Sequence, residues 1–142
     1  MSKWEERLRN ALKQGGLGPC GDVNVNNCPV LDKPSNINQY DVILTSLCLE
    51  DACLTHDVYK ATVKRLSALL KPGGFIFMTH GRNQSFYNVI DKRFFALAIN
   101  EQQMREAFEH AGLVDIHVTG VEKPRDNYAD ADGFLIGYAF KQ

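Results

Sequence analysis

A chain of 142 residues has the length of one domain and can bury roughly 70% of the surface its unfolded form exposes. Its 44% hydrophobic and 23% charged residues exclude a disordered chain, and 16 basic against 17 acidic residues, net charge -1, exclude the strong positive field that draws proteins to nucleic acid or anionic lipid. No apolar run approaches the roughly 20 residues of a membrane span and the charged start lacks a signal-peptide core, so no membrane association is expected and the expected compartment is cytoplasmic.

The chain opens on Ser2-Lys3-Trp4-Glu5, a capping box in which the serine hydroxyl and Glu5 satisfy each other's ends of the first turn. Trp4, Leu8, Ala11 and Leu12 share one face of the helix this predicts over residues 2–14, and Gly15-Gly16 end it. Residues 15–38 are rich in Gly, Pro and Asn and read as loop, with one short strand expected at residues 21–25. The glycines between Gly15 and Gly21 do not make a phosphate loop, because such loops follow a buried strand and open a helix, and here the helix comes first. Cys20, Cys28, Cys48 and Cys53 have neither zinc-type C-x-x-C spacing nor the density of a disulfide framework, so reduced thiols and no metal are expected.

Tyr40 to Asp51 is the stretch around which the chain is organised. Asp41-Val42-Ile43-Leu44 runs from a polar start into continuous aliphatic residues, as a strand buried on both faces of a parallel sheet would. Its carboxyl end passes at once into Thr45-Ser46 and then to Glu50-Asp51, and ligands of open α/β sheets bind at that end. Thr55 can cap a helix over residues 56–70, with Tyr59, Val63, Leu66 and Leu70 as its buried stripe. Lys71-Pro72-Gly73-Gly74 stops it, and Phe75-Ile76-Phe77-Met78 follows as a second buried strand, completing a βαβ unit.

Residues 82–98 are expected to be loop. Asn100 caps a third helix with Gln103 in the capping-box position, Met104, Ala107, Phe108 and Ala111 inward and Gly112 closing it. Residues 113–121 alternate, with Val114, Ile116 and Val118 on one face and Asp115, His117 and Thr119 on the other, a strand half exposed to solvent. After a polar loop, residues 133–140 return as a final strand, antiparallel because so short a connection permits a hairpin but not a crossover.

Leu69-Leu70-Lys71-Pro72-Gly73-Gly74 before a buried strand, with a closing antiparallel hairpin, resembles the latter part of a class I S-adenosylmethionine-dependent methyltransferase. The run Asp41 to Glu50, the Lys-Pro-Gly-Gly-Phe turn and Ser85-Phe86-Tyr87 resemble, more narrowly, the small-amine family of nicotinamide, phenylethanolamine and indolethylamine N-methyltransferases. The resemblance implies one α/β domain over residues 1–142: a partial class I methyltransferase (Rossmann-like) sheet of parallel strands with a C-terminal antiparallel hairpin, lacking the first two strands. Family members carry a glycine-rich loop, an acidic residue for the ribose and an N-terminal tyrosine-bearing cover that have no counterpart here. The resemblance therefore implies only half a site for S-adenosylmethionine.

On that resemblance, Asp22 and Val23 match positions approaching the adenine, and Ser46 and Leu47 match positions lining the cofactor. Glu50 matches an acidic position near the substrate amine, and Tyr87 an aromatic that stacks on a flat substrate. Asp130, with Asp132, lies near a substrate-facing loop. His80 stands where the nicotinamide-methylating members carry an aspartate and Ala96 where they carry a serine, which argues against nicotinamide as substrate. His80 is the corresponding substrate-side position. Methyl transfer from a sulfonium rests mainly on alignment, so no triad or metal cluster is expected.

The implied function is N-methylation of a small amine or pyridine-type substrate by a fragment or shortened form. The alternative is a non-catalytic methyltransferase-like remnant or interaction module, self-associating through the sheet edge that a missing first strand would leave bare. An unrelated α/β domain fits the element order but not the motif run.

Overall fold

The computed structural model describes Leu31 and residues 33–142 apart from Arg125. The helix expected over residues 2–14, the strand at 21–25, Asp22, Val23, Cys20 and Cys28 lie outside the described residues.

Strand β1 (Tyr40–Ser46) leads through a single helical turn, α1 (Leu49–Ala52), into α2 (His56–Leu69) and then β2 (Leu70–Arg82). β1 and β2 pair in parallel from Val42–Phe75 to Ser46–Thr79, the expected βαβ unit. A hairpin of β3 (Phe86–Val89) and β4 (Lys92–Phe95) follows, then α3 (Glu101–His110), β5 (Val114–Glu122) and β6 (Gly133–Phe140). The main sheet has the order β1-β2-β6-β5, with β6 antiparallel to both its neighbours. A parallel strand pair continued by an antiparallel hairpin is the partial class I methyltransferase sheet that the resemblance implies.

The two expected caps that lie within the described residues form. The Thr55 hydroxyl accepts from the Val58 amide at 3.2 Å, and at α3 the Asn100 side chain and the Gln103 side chain each accept from the other's amide at 2.9 Å. Caps of this kind stabilise a helix by about 1 kcal/mol each. Tyr59 and Val63 of α2 and Met104, Ala107 and Phe108 of α3 are buried with Ile76, Met78, Leu135 and Ala139, so both helices cover one face of the sheet. The opposite face carries a chain of aromatic contacts, Phe75–Phe140, Tyr138–Phe140 and His117–Tyr138.

Three expectations need correction. β1 is not buried on both faces: Val42 is 43% and Leu44 71% exposed, because β1 is the edge of the described sheet and only Ile43 packs on the core. β2 starts at Leu70 rather than Phe75. Leu70 already pairs with Tyr40, and Lys71 to Gly74 form an irregularity before the regular ladder resumes. Gly74 sits so close to β1 that a β-carbon there would lie 2.7 Å from the Asp41 carbonyl oxygen. Finally, residues 82–98 are not simply loop: cross-strand pairs Phe86–Phe95 and Tyr87–Phe94 make the β3–β4 hairpin, aromatic pairing of the kind that stabilises antiparallel strands.

Candidate functional site

At the carboxyl end of β1 the Ser46 and Thr79 hydroxyls are hydrogen bonded at 2.8 Å, and the Leu47 amide donates to the Thr79 carbonyl at 3.0 Å. Leu47 then turns through a left-handed φ of 48° with its side chain half exposed, a conformation non-glycine residues adopt at a cost. That turn launches α1, whose first turn sets Glu50 and Asp51 side by side with opposite fates.

Glu50 points inward and is buried. One carboxylate oxygen lies 2.7 Å from His80 Nδ1, and the other accepts the Gly81 amide at 3.2 Å. His80, itself fully buried, meets the Tyr59 hydroxyl through Nε2 at 3.0 Å. With a neutral imidazole, Nδ1–H donates to Glu50 and Nε2 accepts from Tyr59, so all three polar groups are satisfied. Burial, reinforced by the charge of Glu50, pushes the Tyr59 hydroxyl above its ordinary titration range. The Glu50 carbonyl also accepts the Leu97 amide at 2.6 Å, tying α1 to the segment after β4.

Asp51 is partly buried beside the cleft. Its carboxyl is raised to about 6, first by burial and then by the neighbouring Glu50 charge, against a hydrogen bond from Tyr87 and the pull of His80. Its Oδ1 is buried and has no hydrogen-bond partner among the described residues.

Asp51 and Leu47 form one wall of a cleft of about 390 Å³. Gln84, Tyr87 and Asn88 at β3 form a second wall, and residues from the β5–β6 connection and β6, among them Lys123, Tyr128 and Phe134, form a third. Tyr87 is held from behind by stacking on Phe94, 5.4 Å between centroids, and by a bridge to Ala129. Lys123 is paired with Asp126 at 2.5 Å. This hydrogen bond from Lys123, with those from the Tyr128 and Ala129 amides, holds the Asp126 carboxyl below its ordinary value.

Of the expected site residues, Leu47 and Tyr87 stand on the cleft wall. Ser46 is exposed at the strand end beside Leu47. Glu50 borders the cleft, but its carboxylate is engaged with His80 and Gly81, and His80 lies wholly inside the core. Asp130 accepts the Ser85 amide at 2.8 Å, the Ser85 hydroxyl, and the Phe86 amide at 3.1 Å. Burial works to raise the Asp130 carboxyl, and these hydrogen bonds outweigh it and hold it low. Asp132 is bound to Arg82 at 2.7 Å and Asn83 at 2.9 Å. Asp51, absent from the expected set, has a buried carboxylate oxygen without a hydrogen-bond partner among the described residues. The adjacent Glu50-Asp51 pair was the available signal, and which of the two faces inward depends on the turn at Leu47.

A model of the NNMT/PNMT/TEMT family matches residues 1–142. Indolethylamine N-methyltransferase of Oryctolagus cuniculus is 33% identical over 116 residues, 78% of this chain and 41% of that protein. Nicotinamide N-methyltransferase of Sus scrofa is 32% identical over 113 residues, 80% of this chain and 40% of that protein. The chain thus spans about 40% of the length of these relatives. In fold it resembles the 1,6-didemethyltoxoflavin-N1-methyltransferase of Burkholderia thailandensis, solved with S-adenosylhomocysteine, at a TM-score of 0.57 and 22% identity over 81% of this chain and 49% of that one.

Proposed function

Because the chain belongs to the NNMT/PNMT/TEMT family, we propose that it serves S-adenosylmethionine-dependent N-methylation of a small aromatic or pyridine-type amine, supplying the substrate wall and one side of the cofactor site. The observation that carries this reading is the cleft at the carboxyl end of β1, with aromatic sides, Tyr87, Tyr128 and Phe134, and a carboxylate, Asp51, on its wall. Flat cationic ligands suit such a site, since aromatic faces attract both rings and cations.

The residues present fit one side of the cofactor: an exposed apolar side chain, Leu47, next to the Ser46 hydroxyl. Asp22 and Val23, proposed for the adenine, lie outside the described residues. When bound, S-adenosylmethionine supplies a methyl group on a sulfonium that departs as a neutral thioether, so the leaving group needs no acid. What remains for the chain is positioning, and for an ammonium substrate the loss of one N–H proton, to a neighbouring carboxylate or to water, before the nitrogen lone pair can attack the methyl group. Tyr87 offers its ring to the substrate, while Asp130 pins the Ser85 and Phe86 amides that precede it. Glu50 and His80 act from behind the wall, fixing α1 to β2. Calorimetry of the full chain with millimolar S-adenosylmethionine tests the reading: binding heat is expected, and its absence from folded protein contradicts it.

A second reading, a non-catalytic interaction module, is favoured by the exposed edge of β1, where Tyr40, Val42 and Leu44 are open to solvent. Pairing with a second copy along that edge would satisfy its backbone and cover these side chains. No helix among the described residues is long and apolar enough to cross a membrane.

A further inference from the structure

We propose that Asp51, and not the neighbouring Glu50, is the residue that holds the substrate's cationic nitrogen, which makes the cleft selective for protonated amines over neutral molecules of the same shape. The inference rests on the small-amine reading above for the class of ligand and on the geometry for the residue.

Glu50 is already committed to the core. Its two oxygens are engaged by His80 Nδ1 and the Gly81 amide, and the residue is 1% exposed. Recruiting it to a ligand would break a buried hydrogen-bonded network, and removing partners from such groups costs more than the bonds themselves return. Asp51 is in the complementary condition. Tyr87 donates to its carboxylate, while Oδ1 is sequestered and has no donor among the described residues. Buried acceptors are almost always partnered, so an orphan on a cleft wall marks the place where a ligand donor belongs.

The surroundings select the kind of donor. Lys123, a cation bordering the same cleft, is neutralised by Asp126 at 2.5 Å. The rings of Tyr87, Tyr128 and Phe134 line the space next to Asp51. A carboxylate short of a hydrogen bond beside aromatic walls matches an ammonium carried on a short arm from a flat ring: a turn of the Asp51 side chain brings the buried Oδ1 to the cleft surface, the ammonium N–H donates to it, and the ring lies against the aromatic side chains. The bond from Tyr87 to Asp51 sets both recognition elements in register.

Calorimetry of the full chain with 2-phenylethylammonium and its neutral analogue 2-phenylethanol, near neutral pH, tests the assignment. Wild-type protein should bind the ammonium in preference to the alcohol. Asp51→Asn should weaken the ammonium by about tenfold or more, the loss expected for one charge-assisted hydrogen bond, and leave the alcohol unchanged. Asp51→Glu and a folded Glu50→Gln should keep the preference. A preference that survives Asp51→Asn, or one that is absent from folded wild-type chain, overturns the proposal. A parallel titration with S-adenosylhomocysteine separates the two readings. Cofactor binding with an amine preference indifferent to Asp51 removes the anchor alone, and an Asp51-dependent preference without cofactor binding keeps the anchor and removes the methyl-transfer reading.

Discussion

His80 Nδ1 lies 2.7 Å from a Glu50 carboxylate oxygen in a part of the core where neither residue is more than 1% exposed. The pair, extended by Tyr59, locks the first turn after β1 to the middle of β2 and α2. Removing one partner leaves the other buried and short of a hydrogen bond, which costs about 1–3 kcal/mol, more where the group left behind is the Glu50 carboxylate. Glu50→Ala and His80→Ala should each lower the urea-unfolding free energy by about that amount, and the double variant should lose much less than the sum. Additive losses would show that the two side chains are not coupled.

Asp51 gives stability a pH dependence of unusual sign. Its folded carboxyl is raised to about 6 from an ordinary 3.8 by burial and by Glu50, with Tyr87 and His80 opposing. Between those values the folded chain binds more protons than the unfolded one, so this group's contribution to stability falls as pH rises. Asp51→Asn should therefore be more stable than wild type above pH 6, and the two stability curves should converge towards pH 3.8. Denaturation midpoints across that range provide the check; parallel curves would contradict it.

Gly137 of β6 is where α3 meets the sheet. A β-carbon there would overlap Met104 Sδ and come within 3.0 Å of the Phe108 ring. Gly137→Ala should destabilise the fold by about 1–3 kcal/mol, the usual cost of overpacking, while Gly112→Ala should act through its left-handed φ of 73° rather than through contacts. Thermal unfolding of both variants distinguishes steric from backbone strain, because Met104→Ala should rescue only Gly137→Ala.

Leu44, 71% exposed on the edge of β1, is the side chain through which the interaction-module reading is tested. An edge lysine discourages strand pairing. Light scattering should show wild-type dimers dissociated by Leu44→Lys with unfolding free energy unchanged within about 0.5 kcal/mol. A monomeric wild-type chain would remove that reading.

Helices α2 and α3 were legible because their signals are local, whereas the single turn α1 was not. Thr55, Asn100 and Gln103 announce caps that form without tertiary help, and the stripes Tyr59–Val63 and Met104–Phe108 announce the faces that are buried. β1 was legible as a strand but not as an edge strand, since its aliphatic run reads the same whether or not a neighbour covers it. The β3–β4 hairpin was hidden because its turn uses Ile90, in a left-handed φ of 58°, where glycine or asparagine gives the usual signal. At the candidate site, the sequence could not tell which of the two adjacent carboxylates is committed to the core and which borders the cleft with an unpartnered oxygen. That choice depends on Leu47 turning through positive φ and on His80, far along the chain, being there to receive Glu50.

In the methyltransferase reading proposed above, the turn after β1 contacts the methyl-donating cofactor. The most direct test is a titration of isotope-labelled chain with S-adenosylhomocysteine followed by amide NMR. The expected result is saturable shifts concentrated at Ser46 and Leu47. Shifts absent there at saturating ligand, or confined to the exposed edge of β1 around Val42, would contradict it.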